Sequence, residues 1–300
     1  MALDFIYDTP NAIVLIIFIL VFLSLALIGF FIFILFTENG FNKKFNDANT
    51  STYLSVVATA MSIIIAFIIT NEYQTYNTTS LNLSREANAI YTLIEILSAY
   101  GVEAVPATFA ALEYICSIIN IEFSLMQNGE LPPINKCLEN LQAAVLRLVP
   151  TDNKETVLYS KAVDQLDLAI NLRNYRLEQT VSTLPPEFYW LLIIGVSVLI
   201  VLTWFITEGS MLYRLIMISL ITIVYSTLIT LTVLLDLPFR GFFALDQNAF
   251  VLILNQLGVD PNDCPKDGCA NLTKTPSLTE EPITIRHKVS SCWKSSKNII

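Results

Sequence analysis

Long apolar stretches, set as two pairs on either side of a polar segment, dominate the pattern of this chain. Ala12 to Phe36, Tyr53 to Thr70, Phe188 to Ile206 and Met211 to Leu235 contain no Asp, Glu or Lys, and the one Arg among them is Arg214. Stretches of 18 to 25 residues rise roughly 27 to 37 Å as helices, enough for a hydrocarbon core of about 30 Å. The pattern predicts an all-α polytopic membrane protein with four spans in two pairs and a helical extramembrane domain between them.

No Gly or Pro occurs between Gly40 and Gly101, so the second span continues out of the bilayer, with Asn77-Thr-Thr-Ser80 as a place where that helix could loosen. Past the Gly101 to Pro106 break, Phe109, Leu112, Cys116, Ile119, Phe123 and Met126 alternate steps of three and four, an apolar helical seam. Gly129 is the expected C′ residue. Ile134, Leu138, Leu141, Val145 and Leu148 repeat the pattern, and a further helix starts at Asp152 with Glu155 at capping-box spacing. The expected organisation is a first membrane pair over 1–70, the helical domain over 71–187, a second pair over 188–235, an exit turn with a short helix over 236–257, and a disordered tail over 258–300. Tyr53, Tyr73, Tyr76, Tyr189, Trp190, Trp204 and Tyr213 mark the span ends, as amphipathic rings do at membrane interfaces.

Charge narrows the partners. The segment from Asn71 to Glu187 holds 14 acidic and 7 basic residues within a chain of net charge −9. Nucleic acid is excluded as a partner, because phosphate binding needs clustered Lys and Arg; the lipid bilayer, further copies of the chain and inorganic ions are the expected ones. The carboxylates are dispersed along helices and read as solvated faces. Cys116 and Cys137 lie on or beside apolar stripes and read as buried free thiols, while Cys264 and Cys269 could close a small loop in an oxidising compartment. A single histidine, His287, and the lack of GxxxxGK, HExxH, GxSxG or CxxC patterns give catalysis little support, and neither a cofactor nor a metal is expected.

Small and weakly polar residues recur on the second span. Ser55, Thr59, Ser62 and Ala66 share one helical face, which either lines a water-accessible path or permits close helix packing. Ser219, Thr222, Ser226 and Thr230 repeat the theme on the fourth span. At its end Asp236, Pro238, Phe239, Arg240 and Gly241 form an exit turn in which Asp236 and Arg240 compensate each other and Phe239, Phe242 and Phe243 stay in the interface.

Ser84-Arg-Glu86-Ala-Asn-Ala89, Arg173-Asn-Tyr-Arg176-Leu177, Leu184-Pro185-Pro-Glu-Phe-Tyr-Trp190 and Leu235-Asp-Leu-Pro-Phe-Arg-Gly241 together resemble the bestrophin-like integral membrane family, over roughly Leu54 to Leu254. The resemblance implies a layout like that of bestrophins, pentameric anion channels with a cytosolic helical region and bulky apolar residues along a neck on the second span. It implies an oligomeric channel or pore in the bacterial plasma membrane, with the helical domain and both termini cytoplasmic. The acidic middle segment implies cation preference instead. The alternative is a non-conducting scaffold or sensor that self-associates or binds a partner through its helical domain.

Overall fold

A computed structural model describes residues 11–38, 47–181, 184–205, 210–241 and 243–265. Among these it is all-helical: α1 (Asn11–Glu38), α2 (Asp47–Tyr100), α3 (Val105–Ser117), α4 (Phe123–Gln127), α5 (Lys136–Leu146), α6 (Asn153–Val181), α7 (Pro186–Trp204), α8 (Met211–Leu235) and α9 (Asn248–Gln256). The chain divides into two compact units, 1–76 with 182–243, and 77–181 with 244–300. Helix α2 supplies its first part to one unit and its last part to the other. It runs unbroken through Asn77–Ser80, where Thr79 is buried, so the expected loosening does not occur. Gly101, at φ 119°, takes a backbone conformation that ends the helix.

In the first unit α1, the start of α2, α7 and α8 share a core of Phe30, Met61, Ile65, Leu192, Val196, Leu199, Ile218 and Ile229. Two glycines set its close approaches. A Cβ on Gly29 would meet the Trp204 ring at 2.5 Å, and one on Gly195 would run into the Met61 thioether. Arg214 lies 4.9 Å over the Phe30 ring and donates to the Trp204 carbonyl at 3.2 Å, covering the C-terminal end of α7.

The second unit packs the end of α2 with α3 to α6 and α9 around Leu93, Leu97, Leu112, Ile115, Leu141, Val145, Leu166 and Phe250, each at most 2% exposed. Asn135 caps α5 by accepting from the Cys137 and Leu138 N–H groups. Gly129, at φ 74°, closes the preceding helix as expected, with Glu130 N–H reaching the Leu125 carbonyl. The box at the start of α6 is shifted by one residue: Asp152 Oδ1 accepts from the Glu155 N–H, but the Glu155 carboxylate takes its bonds from Thr151.

Among the described residues five helices are long and apolar enough to cross a membrane, four covering the expected stretches and a fifth over Val102–Gln127. Most of that fifth stretch is buried within the protein, and it carries Glu103, Glu113 and Glu122. Residues 258–265, expected as the start of the tail, are ordered. Val259 and Cys264 are buried, a short 3₁₀ turn covers Pro261–Asp263, and residues 258–265 belong to the second unit. Lys43, Lys44, most of the Thr207 to Ser210 connection and everything after Pro265 lie outside the described residues.

Candidate functional site

On the membrane part of α2, burial separates two faces. Met61, Ile65 and Ile68 turn into the core, and Ser55, Thr59, Ser62 and Ala66 all lie on the exposed side. They are not alone there. Ile63 and Phe67, 66% and 73% exposed, follow Thr59 at steps of four, so this surface carries bulky apolar residues as well as small ones. Thr59 donates back to the Ser55 carbonyl at 2.8 Å, which satisfies its hydroxyl proton without a neighbour. Ser62 differs from the other three, since its hydroxyl is 3.3 Å from that of Tyr225 on α8 and ties the edge of the stripe to the next helix. The matching residues of α8 have the opposite fate: Thr222, Ser226 and Thr230 are buried, and Thr230 donates to the Ser226 carbonyl at 2.8 Å. One polar stripe is open surface; the other is a packing seam.

The exit turn after α8 joins two of the motifs. Asp236 accepts from the Leu184 N–H and from the Tyr189 hydroxyl, so the Asp-Leu-Pro-Phe-Arg-Gly segment is anchored to the chain entering α7. Burial holds the Asp236 carboxyl above its usual range. Phe239 is 1% exposed and packs into the protein instead of resting in the interface. Gly241 supplies the turn with φ 77°, which a side chain would oppose. Glu72, two residues past the apolar stretch, is buried, and burial together with the nearby Asp236 raises its pKa to about 7. Pro185 fixes the extended residue before α7, and Trp190 stays 64% exposed.

The second unit contains what the periodicity did not reveal. Arg176, 2% exposed, makes a paired contact to Glu86 (Nε to Oε2 2.8 Å, Nη2 to Oε1 2.9 Å) and reaches Glu122 Oε2 at 2.7 Å. Arg173 grips Glu122 Oε1 through Nε at 2.9 Å and Nη2 at 2.7 Å, and Asn135 Nδ2 adds a bond to the same oxygen at 2.6 Å. The chain from Ile118 to Glu122 is a π-helical turn, which lets Glu122 enter this cluster from the line of α3 and α4. Phe123 and Phe250 stack their rings 5.6 and 5.9 Å from the Arg176 guanidinium. Burial raises the Glu86 carboxyl while Arg176 opposes the rise; burial pushes Glu122 the same way, but two guanidiniums outweigh it and hold Glu122 below its usual range. The reading of these carboxylates as solvated faces is therefore corrected for Glu86 and Glu122, and also for Glu113, 7% exposed with Oε1 unpartnered. A signal was present: Glu86 sits beside Ala87 and Ile90, and Glu122 between Ile119 and Phe123, each inside an apolar stripe. The cysteine reading is corrected too, since Cys116 is bonded to Cys264 and Cys137 is also disulfide-bonded. Among the described residues no group of acidic, His or Cys side chains could hold a metal ion.

Motif residues distant in sequence thus meet in pairs, Glu86 with Arg176 and Asp236 with Leu184 and Tyr189, within an all-helical membrane protein. The chain belongs to the Bestrophin-like family, whose domain model matches residues 20–250. Its fold resembles the crystal structure of a mutant bacterial bestrophin homologue from Klebsiella pneumoniae, with a TM-score of 0.56 and 16% identity, covering 81% of this chain and 99% of that one. No curated protein matches the sequence.

Proposed function

We propose that this protein is a homo-oligomeric ion channel of the plasma membrane whose conduction path is lined by the exposed face of α2. Four of the five apolar helices cross the bilayer: α1, the first part of α2, α7 and α8. The stretch from Val102 to Gln127 is left out because it holds three carboxylates and contributes to a protein core. An even number of spans leaves both termini and the helical domain on one side.

The observation that carries the reading is the exposure of Thr59, Ile63 and Phe67 at steps of four along a helix whose opposite side is buried. Copies of the chain arranged about an axis would cover this face and build a narrow, largely apolar passage with a ring of hydroxyls at Thr59, a constriction that can gate by dewetting. The family membership and the bestrophin-like fold support the same assembly.

For ion preference, pairing matters. The buried cluster removes Glu86, Glu122, Arg173 and Arg176 from the surface field in equal number, and although Glu72 and Glu113, with pKa raised to about 7, are only partly ionised near neutral pH, the middle segment with its 14 acids and 7 bases keeps an acidic excess. A vestibule made by this domain would concentrate cations. The test of the pore face is chemical block: in reconstituted bilayers a cationic methanethiosulfonate reagent should abolish current through Ile63→Cys and leave the parent protein conducting. Equal insensitivity of both would remove α2 from the pathway, and absence of current from folded oligomers would favour a scaffold.

A further inference from the structure

The helical domain is an oxidised structure. Cys116 of α3 and Cys264, just past the Pro261–Asp263 turn, are joined by a disulfide with Cα atoms 5.3 Å apart at a sequence separation of 148. Both are buried, at 1% and 5% exposed. Cys137, at the start of α5 and 3% exposed, is disulfide-bonded as well. Hydrogen bonds reinforce the covalent tie. Asn120 Nδ2 donates to the Pro265 carbonyl at 3.1 Å, Asp260 caps the short turn through the Asn262 N–H at 2.9 Å, and Val259 is 3% exposed.

We infer that the helical domain lies in an oxidising compartment, on the exoplasmic side of the membrane, where the Cys116–Cys264 bond clamps residues 258–265 onto it. Thiols of the cytosol are kept reduced, whereas disulfides persist outside it. The Cys116–Cys264 bond does not have the layout of a redox-active pair, which is a solvent-accessible Cys-x-x-Cys; it connects distant, buried positions, as structural bridges do. Formation requires a disulfide-bearing oxidant. One thiolate of the pair attacks that disulfide and releases one of its sulfurs as a thiol, then the second cysteine attacks the mixed disulfide, and the oxidant leaves as a dithiol carrying two electrons and two protons.

Charge is compatible with this placement. The opposite side of the membrane carries Lys43, Lys44 and Arg214 close to the span ends. On the side of the helical domain, Arg173 and Arg176 are committed to Glu122 and Glu86, leaving Arg85 and Arg240 nearest the membrane. Basic residues near span ends favour the cytosol, so the short connections fit the cytosolic face. The inference rests on the four-span reading given above but not on conduction, and it reverses the orientation that bestrophins suggest.

The test uses the full chain in native membranes. Cells are quenched in acid and alkylated before lysis, and peptides are mapped without reduction. The expected result is a linked Cys116–Cys264 peptide and one alkylated thiol among the five cysteines of each chain. In parallel, Ser160→Cys and Asn42→Cys variants are treated with a membrane-impermeant maleimide. Ser160 is exposed on α6, and its replacement should label in intact spheroplasts, while the one at position 42 should label only after permeabilisation. Free thiols at Cys116 and Cys264 in quenched cells would overturn the inference. So would a linked peptide accompanied by protection at 160 and labelling at 42.

Discussion

Replacing Arg176 with methionine keeps most of the apolar length of the side chain and deletes the charge. The structure indicates where the damage falls. Glu122 would retain both bonds from Arg173 and the one from Asn135, but Glu86, fully buried, would lose both contacts to the guanidinium. Removing one partner of a buried ion pair costs about 3 to 5 kcal/mol, because the remaining charge is desolvated without compensation. For a domain of this size that corresponds to a fall in apparent melting temperature of roughly 6 to 20 °C. Fluorescence-detected size exclusion after heating, at a fixed scan rate, measures it in detergent.

Two controls separate this cause from simple loss of packing. Adding Glu86→Gln should recover more than half of the loss, since the stranded charge is then gone. The loss should also shrink in acid. Without Arg176 the folded pKa of Glu86 rises further above its unfolded value, so the penalty is complete above the folded pKa and vanishes below the unfolded one. A drop of less than about 2 °C in Arg176→Met, the size expected from an exposed pair, or no recovery in the double variant, would refute the reasoning.

Glu113 has a pKa raised to about 7 by burial, so it favours the folded state less as pH rises from its usual carboxyl value to about 7; Glu113→Gln should flatten the stability profile over that window, and an unchanged profile would show that the carboxyl is not buried in the assembled protein. Cys264→Ser should lower stability by about 2 to 5 kcal/mol, measured by the same melting assay, because it reopens a long covalent loop; equal stability with and without the bond would argue against a clamp. Tyr189→Phe removes the hydroxyl that holds Asp236 and should cost about 1 kcal/mol, with Asp236→Asn partly non-additive to it in a double-variant cycle. Gly29→Ala should reduce folded yield more than Gly195→Ala, since the Trp204 ring is rigid and the Met61 thioether can turn away.

The sequence pattern made the helices readable because membrane spans and amphipathic stripes follow simple periodicities. The apolar stretches, the continuation of α2 and the Gly129 turn all follow from that rule. Contacts between distant elements do not. Glu86 and Arg176 are 90 residues apart, and nothing in a periodic pattern says that two charged residues will share one interior. What could be read was the misfit, a carboxylate inside an apolar stripe, and its meaning depends on a partner elsewhere. Cys116 illustrates the same limit: its position on a stripe correctly marks burial, but the bond to Cys264 is a property of the fold. The Ser55 to Ala66 stripe is legible from its spacing, but that Ile63 and Phe67 share its exposed side is not, because only burial distinguishes the two sides of the helix. Trp204 and Tyr189, expected as interface markers from their place at span ends, also contact Gly29 and Asp236, which their position in the sequence does not reveal.

Reversal potential across a salt gradient in reconstituted bilayers, compared between the parent protein and Thr59→Arg, tests whether the exposed face of α2 lines a cation-preferring pathway. The parent potential should be displaced toward the cation equilibrium potential, and should shift toward the anion potential when a ring of arginines enters the narrow passage. Anion selectivity in the parent, unaffected by Thr59→Arg, would contradict both the assigned pore face and the role of the acidic domain.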